Sequence, residues 1–483
     1  MGKNASKAIN YQFKKEYRWF IEKYLFRLLG IVNKQLQDDC IPLNEDEANA
    51  VQENGVIYFS VSGWRLFKLE LNGTKELSED NIKLANRIIQ AFLPLSEYKR
   101  TGSGRQNASY PDKTKRPGEH DVYQNEVCKR AIEKGICYWI VGDSMNDYIE
   151  EFMSILEEWS VKTYEGKSVT LGFVINPSEK SCFDCTYGNW LTFMRDDAAA
   201  VLTDCIHSVV ELDANCNYLR HISMSEGDRL EHCKLSCRVP IRFTQVIQTC
   251  VNGDKVGVFL LNNGDIVLAK NGAICFVRRN LRWLNLSYEA FCNSLQPFID
   301  EYQISAPNLI ESIFASVLDV SFSHTGGIVA IVDTPWGNKM GVDFSESGLL
   351  NSCDNLKTKK TAAELLEDAV RSSSTSKESA IKDDFRKRML KRMAIQNLIS
   401  GKKFQDVDRK LRCELMSLDG ACILDKAGNV YSFGAIIQNS SGSSGGGRGA
   451  AARKLSAYGM AVKISTDGYI ELYINQVVEY AIK

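Results

Sequence analysis

Apolar residues recur along the chain at two spacings, and the elements change where the spacing changes. "EYRWFIEKYLFRLLGIVNKQL", residues 16–36, has helical spacing and predicts an N-terminal helix. "QNEVCKRAIEKGI", 124–136, predicts another. "SMNDYIEEFMSILEEW", 144–159, predicts a stronger one, with Tyr148, Phe152, Ile155 and Leu156 on one face. "TYEGKSVTLGFVINP" reads as a polar turn feeding a buried strand that Pro177 stops. In "KVGVFLLNNGDIVLAKNGAICFVRRNLRWLNL", the turns Asn263-Gly264 and Asn271-Gly272 separate three strand-like runs, the signature of a β-meander. Further on come a helix, "NLIESIFASVLDVSF", a strand, "GGIVAIVD", and a Ser-rich flexible loop, "RSSSTSKES". The basic helix "DDFRKRMLKRMAIQNLI" follows, with Met389, Met393 and Leu398 as its apolar side and a solvated basic side. A strand pair within "ACILDKAGNVYSFGAII", a Ser/Gly loop, a helix and a hairpin, "AVKISTDGYIELYI", complete the pattern.

Helices and strands alternate throughout, so the fold class is α/β, of the mixed α+β kind. Three regions are expected: 1–120, helical and closing in a loop; 121–295, α/β; and 296–483, a mixed central sheet flanked by helices. The order from Asn308 to Tyr473 places Ala421–Leu424 and Ala461–Ile464 in one sheet.

A length of 483 residues suits about two or three domains. The formal net charge is -1, so no global field points to nucleic acid or to an anionic membrane. The basic stretch 98–121, "YKRTGSGRQNASYPDKTKRPGEHD", reads as an exposed, solvated loop. The apolar N-terminal stretch is broken by Glu22, Lys23 and Arg27, so no signal peptide is expected. No run reaches the roughly 18 apolar residues of a membrane span. Fifteen cysteines, an odd count spread over a long chain, fit reduced thiols and a cytoplasmic location. Cys182 and Cys185 have metal or redox spacing, with His232, Cys233 and Cys237 downstream, but ordinary buried thiols are the preferred reading. Arg278, Arg279, Arg282 and Trp283 could form an anion platform or the charged guard of a sheet edge.

The chemistry concentrates near the C-terminus. Asp419-Gly420-Ala421 opens an apolar strand, a place where a carboxylate either punctuates a turn or faces a cleft. Downstream, "QNSSGSSGGGRGAAARKLS" leads a glycine-rich loop straight into a helix start. Glycines let main-chain amides converge, the helix N-terminus adds unpaired N–H groups, and Arg448 can grip a phosphate with two bonds. A carboxylate beside a phosphate cradle suits nucleotide chemistry: the Asp can hold a divalent cation or help deprotonate a hydroxyl. Gly420 would let a substrate approach the backbone, and Ala421 would keep the pocket floor small.

Asp419-Gly420-Ala421 with the strand and "YSFGAII" that follow resembles the DGA motif of the diadenylate cyclase (DAC, DisA_N-type) domain. That family's second signature, G-T-R-H-R-A-A-x-x-x-S, is matched by Gly446-Gly447-Arg448-Gly449-Ala450-Ala451-Ala452-Arg453-Lys454-Leu455-Ser456. "HTGGIVAIVD" resembles its opening strand, and Ile464-Ser465-Thr466-Asp467-Gly468 its terminal one. The resemblance covers roughly residues 300–483. The region before it resembles, more softly, the sensor modules (DACNV-like) attached to some bacterial members. The resemblance implies condensation of two ATP into cyclic di-AMP with release of pyrophosphate, Mg²⁺ or Mn²⁺ as cofactor, and a homo-oligomer whose cyclase domains face each other. It further implies that Asp419 binds the metal and activates the hydroxyl, with Gly420 and Ala421 beside it. Gly446, Gly447, Arg448, Gly449 and Ser465 would then contact the substrate. The sensor region would answer to an unknown signal ligand, with neither membrane nor nucleic acid as partner. The chain departs from the pattern where Gly447 replaces Thr, Gly449 replaces His, Ala450 replaces the second Arg and Thr466 replaces an acidic residue. Two alternatives stay open: a non-catalytic nucleotide-binding protein on the same fold, and a cyclase making another product.

Overall fold

The computed structural model describes residues 11–31, 34–43, 49–61, 63–71, 76–101, 119–141, 148–182, 190–224, 236–304, 306–332, 344, 347–372, 378–437 and 446–483. The chain is mixed α/β and divides into two compact units. Unit 1 comprises Met1–Lys234 with Arg242–Asn293, and unit 2 comprises Leu235–Ile241 with Ser294–Lys483.

Unit 1 opens with α1 (Tyr11–Phe20), which passes through a π turn (Ile21–Leu25) into α2 (Phe26–Leu28). Strands β1 (Gln37–Pro42), β2 (Ala50–Glu53), β3 (Val56–Val61) and β4 (Trp64–Glu70) form an antiparallel sheet in the order β1-β4-β3-β2. Helices α3 (Glu79–Thr101), α4 (Glu119–Val141) and α5 (Tyr148–Trp159) follow. A short hairpin, β5 (Thr163–Tyr164) and β6 (Lys167–Ser168), leads to β7 (Leu171–Ile175). Then come α6 (Trp190–Phe193), β8 (Ser208–Leu212), β9 (Tyr218–Ser223) and α7 (Thr244–Cys250). The meander is β10 (Val256–Leu260), β11 (Ile266–Lys270), β12 (Ala273–Arg279) and β13 (Arg282–Asn285). It joins the others in a seven-stranded sheet, β13-β12-β11-β10-β7-β8-β9.

Residues before 120 and residues after it share one hydrophobic core: Phe20, Phe59 and Ile88 lie in the same cluster as Phe152, Phe173 and Phe276. The closest seam is between α3 and α4, where a Cβ on Gly135 would fall 2.5 Å from the Ile88 Cα. Only glycine allows that approach.

Unit 2 follows α8 (Tyr288–Tyr302), the helix within which the division falls. Helix α9 (Leu309–Ser323) is buried around nearly its whole circumference and feeds β14 (Gly327–Ile331). Helices α10 (Ala362–Ser372) and α11 (Glu378–Ile399) come next, then α12 (Arg409–Met416), β15 (Ala421–Leu424) and β16 (Val430–Ala435). Helix α13 (Gly446–Leu455) and strands β17 (Met460–Ile464), β18 (Ile470–Ile474) and β19 (Val477–Ile482) end the chain. The sheet runs β16-β15-β14-β17-β18-β19, so Ala421–Leu424 and Ala461–Ile464 share it, separated by β14. Alternation along the strands puts Ile328, Ala330, Ala421, Ile423 and Ala461 in one cluster with Ala451, Ala452 and Leu455 of α13.

Segment 236–241 is bolted to α9 and α12 by one buried ion pair. Arg409 donates to both Asp319 oxygens, at 2.7 and 3.0 Å, and to the carbonyls of Ser236 at 3.0 Å and Val239 at 2.7 Å. Asp319 Oδ1 also accepts the Ile241 N–H at 2.8 Å.

Several expectations need correcting. Tyr148 is exposed, and the buried face of α5 uses Ile149, Met153 and Trp159 as well as Phe152, Ile155 and Leu156. On α11, Met393 and Leu398 are exposed, and Ile395 and Ile399 are the buried positions. Residues 98–101, placed in a loop by their charge, continue α3. Cys182 is exposed rather than buried, while Cys185, His232 and Cys233 lie outside the described residues. Arg279 is no platform: it is 2% exposed and its Nε bonds Asp265 at 2.7 Å. Arg278 is spent on Glu157, 2.7 Å away. The basic stretch 102–118, the Ser-rich 373–377 and the Ser/Gly segment 438–445 lie outside the described residues.

Candidate functional site

Strand register decides which ends meet. β14 and β15 are parallel, with Ile328 opposite Ala421, so both begin at the same edge of the sheet. β17 runs against β14 with Ile464 opposite Gly327, and β16 runs against β15 with Ala435 opposite Ala421, so both end at that edge. Asp419-Gly420, Thr325-Gly326 and Ser465 therefore emerge together. Arg448, in the first turn of α13, reaches the same place: a Cβ on Gly326 would lie 2.9 Å from its Nη1. Thr325 Oγ1 and Ser417 Oγ, 2.8 Å apart, tie the turn before β14 to the turn before β15. His324 caps α9 in the left-handed conformation and places Nδ1 3.2 Å from the Thr466 carbonyl oxygen.

The glycines differ in what they do. Gly420 has φ +116°, and a Cβ there would fall 2.5 Å from the Gly434 carbonyl carbon and 2.6 Å from the Ala435 oxygen. Its close approach is to the backbone of β16. Ala421 is buried in the cluster beneath α13. At Gly446 and Gly447 a Cβ would meet nothing within 4 Å among the described residues. Gly446 has φ +73°, which itself calls for glycine; at Gly447 packing does not, although a glycine inside a helix costs about 1 kcal/mol relative to alanine. Gly449 is buried, with Lys463 Nζ 3.9 Å from where its Cβ would be. Ser465 Oγ accepts the Tyr469 N–H at 3.0 Å and so also shapes the turn between β17 and β18.

The charges at this edge fall into two groups. Lys463 is spent on Glu471, 2.8 Å away, and Lys483 and the Tyr473 hydroxyl engage the same carboxylate. Burial pushes the Glu471 carboxyl up, but the two lysines outweigh it and hold it at about 2. Asp419 is exposed, and its carboxylate bonds no group among the described residues. Arg448 is half-buried and has no carboxylate within ion-pair distance among them. Lys391, from α11, donates to the Gly434 carbonyl at 2.5 Å. The sequence reading took that side of α11 as solvated and so missed Lys391. It also missed Thr325 and His324, whose signal was their place just before the glycines of the opening strand.

The described residues contain no cluster of three or more metal-ligating side chains. One exposed carboxylate is a sufficient protein ligand for Mg²⁺ or Mn²⁺ that is held mainly by phosphate and water oxygens, as Mg²⁺ usually is at nucleotide sites. Asp419 fits that pattern. The chain matches no protein-family model, no curated protein and no solved structure.

Proposed function

We propose that unit 2 is a nucleotidyltransferase that condenses two ATP into cyclic di-AMP, with unit 1 as its sensor. The observation that carries this reading is the meeting, at one sheet edge, of Asp419 and Arg448, both free of partners among the described residues. Asp419 takes the proton from, or orients, a 3′-hydroxyl. The hydroxyl oxygen bonds to the α-phosphorus of the other ATP, and the bond from that phosphorus to the β-phosphate bridge breaks. Pyrophosphate leaves. Arg448 and the start of α13 hold the triphosphate in line, so positioning and electrostatics supply the rate. A bound Mg²⁺ or Mn²⁺ would neutralise the phosphates, with Asp419 as its protein ligand.

Closing the ring needs two reciprocal attacks, whereas this chain carries one Asp-Gly-Ala and one glycine–arginine segment. The second site therefore comes from another copy, facing the first across a two-fold axis. The test is incubation of the full chain with ATP and Mn²⁺ over a range of protein concentrations. Cyclic dinucleotide is expected, at a specific activity that rises with protein concentration. A monomer with concentration-independent specific activity contradicts the facing arrangement. A second reading, nucleotide binding without turnover, draws on the uncharged Gly449 and Ala450, and is the outcome if ATP binds and no product forms.

A further inference from the structure

We infer that Lys391, delivered by α11, is a second cationic contact for the triphosphate at this edge. The inference rests on the nucleotide reading above and extends it to a residue outside both signature motifs. The cations at the edge are not equivalent. Lys463 is neutralised by Glu471 at 2.8 Å. Among the described residues Arg448 has no carboxylate within ion-pair distance; Lys391 donates to the Gly434 carbonyl at 2.5 Å, and the buried Asp354 carboxylate its charge also acts on is paired by Arg388 at 3.0 Å. A carbonyl fixes the ammonium in place without neutralising it and takes one of its three N–H groups.

Its position is set closely. A Cβ on Gly434, which has φ +65°, would lie 3.0 Å from Lys391 Nζ, 3.0 Å from Leu418 Cβ and 3.1 Å from the Asp419 carbonyl oxygen. With no side chain at 434, the ammonium rests beside the main chain of the Asp419 turn. β16 lies on one side of β15 and β14 on the other. Lys391 therefore stands on the β16 side of Asp419 and Arg448 on the β14 side, about two strand spacings or 10 Å apart. A triphosphate with its cation can bridge that span. It also needs the charge: one divalent cation and one guanidinium leave it under-neutralised, and positions 449 and 450 supply none. The competing role is purely local, since β16 is an edge strand and a lysine can cap its open carbonyl.

Two measurements on the full chain separate the roles. Amine-reactive labelling read by mass spectrometry, with and without Mn²⁺–ATP, should show Lys391 protected by ATP but not by AMP, with exposed Lys387 unaffected. Lys391→Met should weaken ATP binding about ten- to a hundredfold, the worth of a charge-assisted hydrogen bond, while AMP binding changes less than about twofold. Lys391→Arg should restore most of the ATP affinity. Equal weakening for ATP and AMP, or labelling of Lys391 that ATP leaves unchanged, overturns the inference and leaves the edge cap. If the native chain binds no ATP at all, the nucleotide reading falls and this inference with it. If Lys391→Met fails to fold, the labelling of the native chain still decides.

Discussion

The seven-stranded sheet of unit 1 and the six-stranded sheet of unit 2 each hold one parallel strand pair in an otherwise antiparallel ladder, β7–β8 in the first and β14–β15 in the second. Beside the parallel pair of unit 1, charges are matched. Glu211, wholly buried, meets Lys255 at 2.7 Å and the Asn176 amide at 2.9 Å, with Arg220 alongside. Asp213 accepts main-chain N–H groups from Ser181, Asn215 and Asn217 at 2.9–3.0 Å. Arg279 is closed on Asp265. Beside the parallel pair of unit 2, Asp419 and Arg448 have no partner among the described residues. Matched charges in a sheet fix its shape. Unmatched ones at a strand mouth cost stability or wait for a ligand, which is why we propose that the chemistry belongs to unit 2.

The sharpest way to break this contrast is Asp419→Asn. If the leftover carboxylate does the chemistry, turnover should fall about a thousandfold or more, roughly 4 kcal/mol of barrier, with thermal stability unchanged. Unchanged turnover removes Asp419 from the site, and a lost melting transition makes it a structural residue. The mirror experiment is Asp265→Ala in unit 1. Stripping the partner from buried Arg279 should cost about 3–5 kcal/mol in denaturant unfolding. Binding of ATP to the folded protein should not change. An effect under about 1 kcal/mol would mean the pair is not matched in solution.

The smallest effect concerns pH, and one carboxyl in each unit should answer with opposite sign. In unit 2 the Glu471 carboxyl sits at about 2, below its ordinary value, so its stabilising contribution is complete above the ordinary carboxylate range. That contribution is lost as pH falls from there toward 2. In unit 1, burial and a shared proton with Glu133 push Glu157 upward, against the pull of Arg278. A raised carboxyl stabilises at low pH, and the contribution is lost as pH rises above the ordinary carboxylate range toward neutrality. Asp204 and Glu211 in unit 1 are also held low and Asp354 in unit 2 is pushed up, so the two groups are separated by substitution. Scanning calorimetry at pH 3, 5 and 7.5 should show Glu471→Gln reducing the loss of stability on acidification and Glu157→Gln reducing the loss on neutralisation. Unchanged pH profiles in both variants would remove the distinction.

What was legible in the sequence followed from local pattern. The meander announced itself by two Asn-Gly turns, and Ala421–Leu424 and Ala461–Ile464 do share a sheet. The grouping of Asp419 with Arg448 was suggested by motif order alone, and the reason they meet lies in strand register, which no local pattern contains. Failures came where a side chain's fate depends on a distant partner. Arg278 and Arg279 looked like a surface platform, but Glu157 and Asp265 consume them from other elements. Lys391 looked solvated because Gly434, its acceptor, is 43 residues away. Helix α11 misled for a different reason: Met393 and Leu398 fit a helical stripe, yet the helix turns Ile395 and Ile399 inward.

The bolt at Arg409 has a consequence for how this chain can be divided. Three residues that the ion pair grips, Ser236, Val239 and Ile241, come from a stretch flanked on both sides by unit 1, so unit 2 is not a continuous piece of polypeptide. A fragment cut to begin at Ser294 would carry Arg409 and Asp319 but not Ser236, Val239 or Ile241. Two guanidinium N–H bonds would lose their acceptors, and Asp319 would lose the Ile241 amide, inside a core that water does not reach. On the ribosome, the same weave means that 236–241 emerges before α9 and α12 exist to receive it. Unit 2 is thus begun in the middle of unit 1's sequence and finished only when roughly the last two hundred residues fold back onto a segment made earlier.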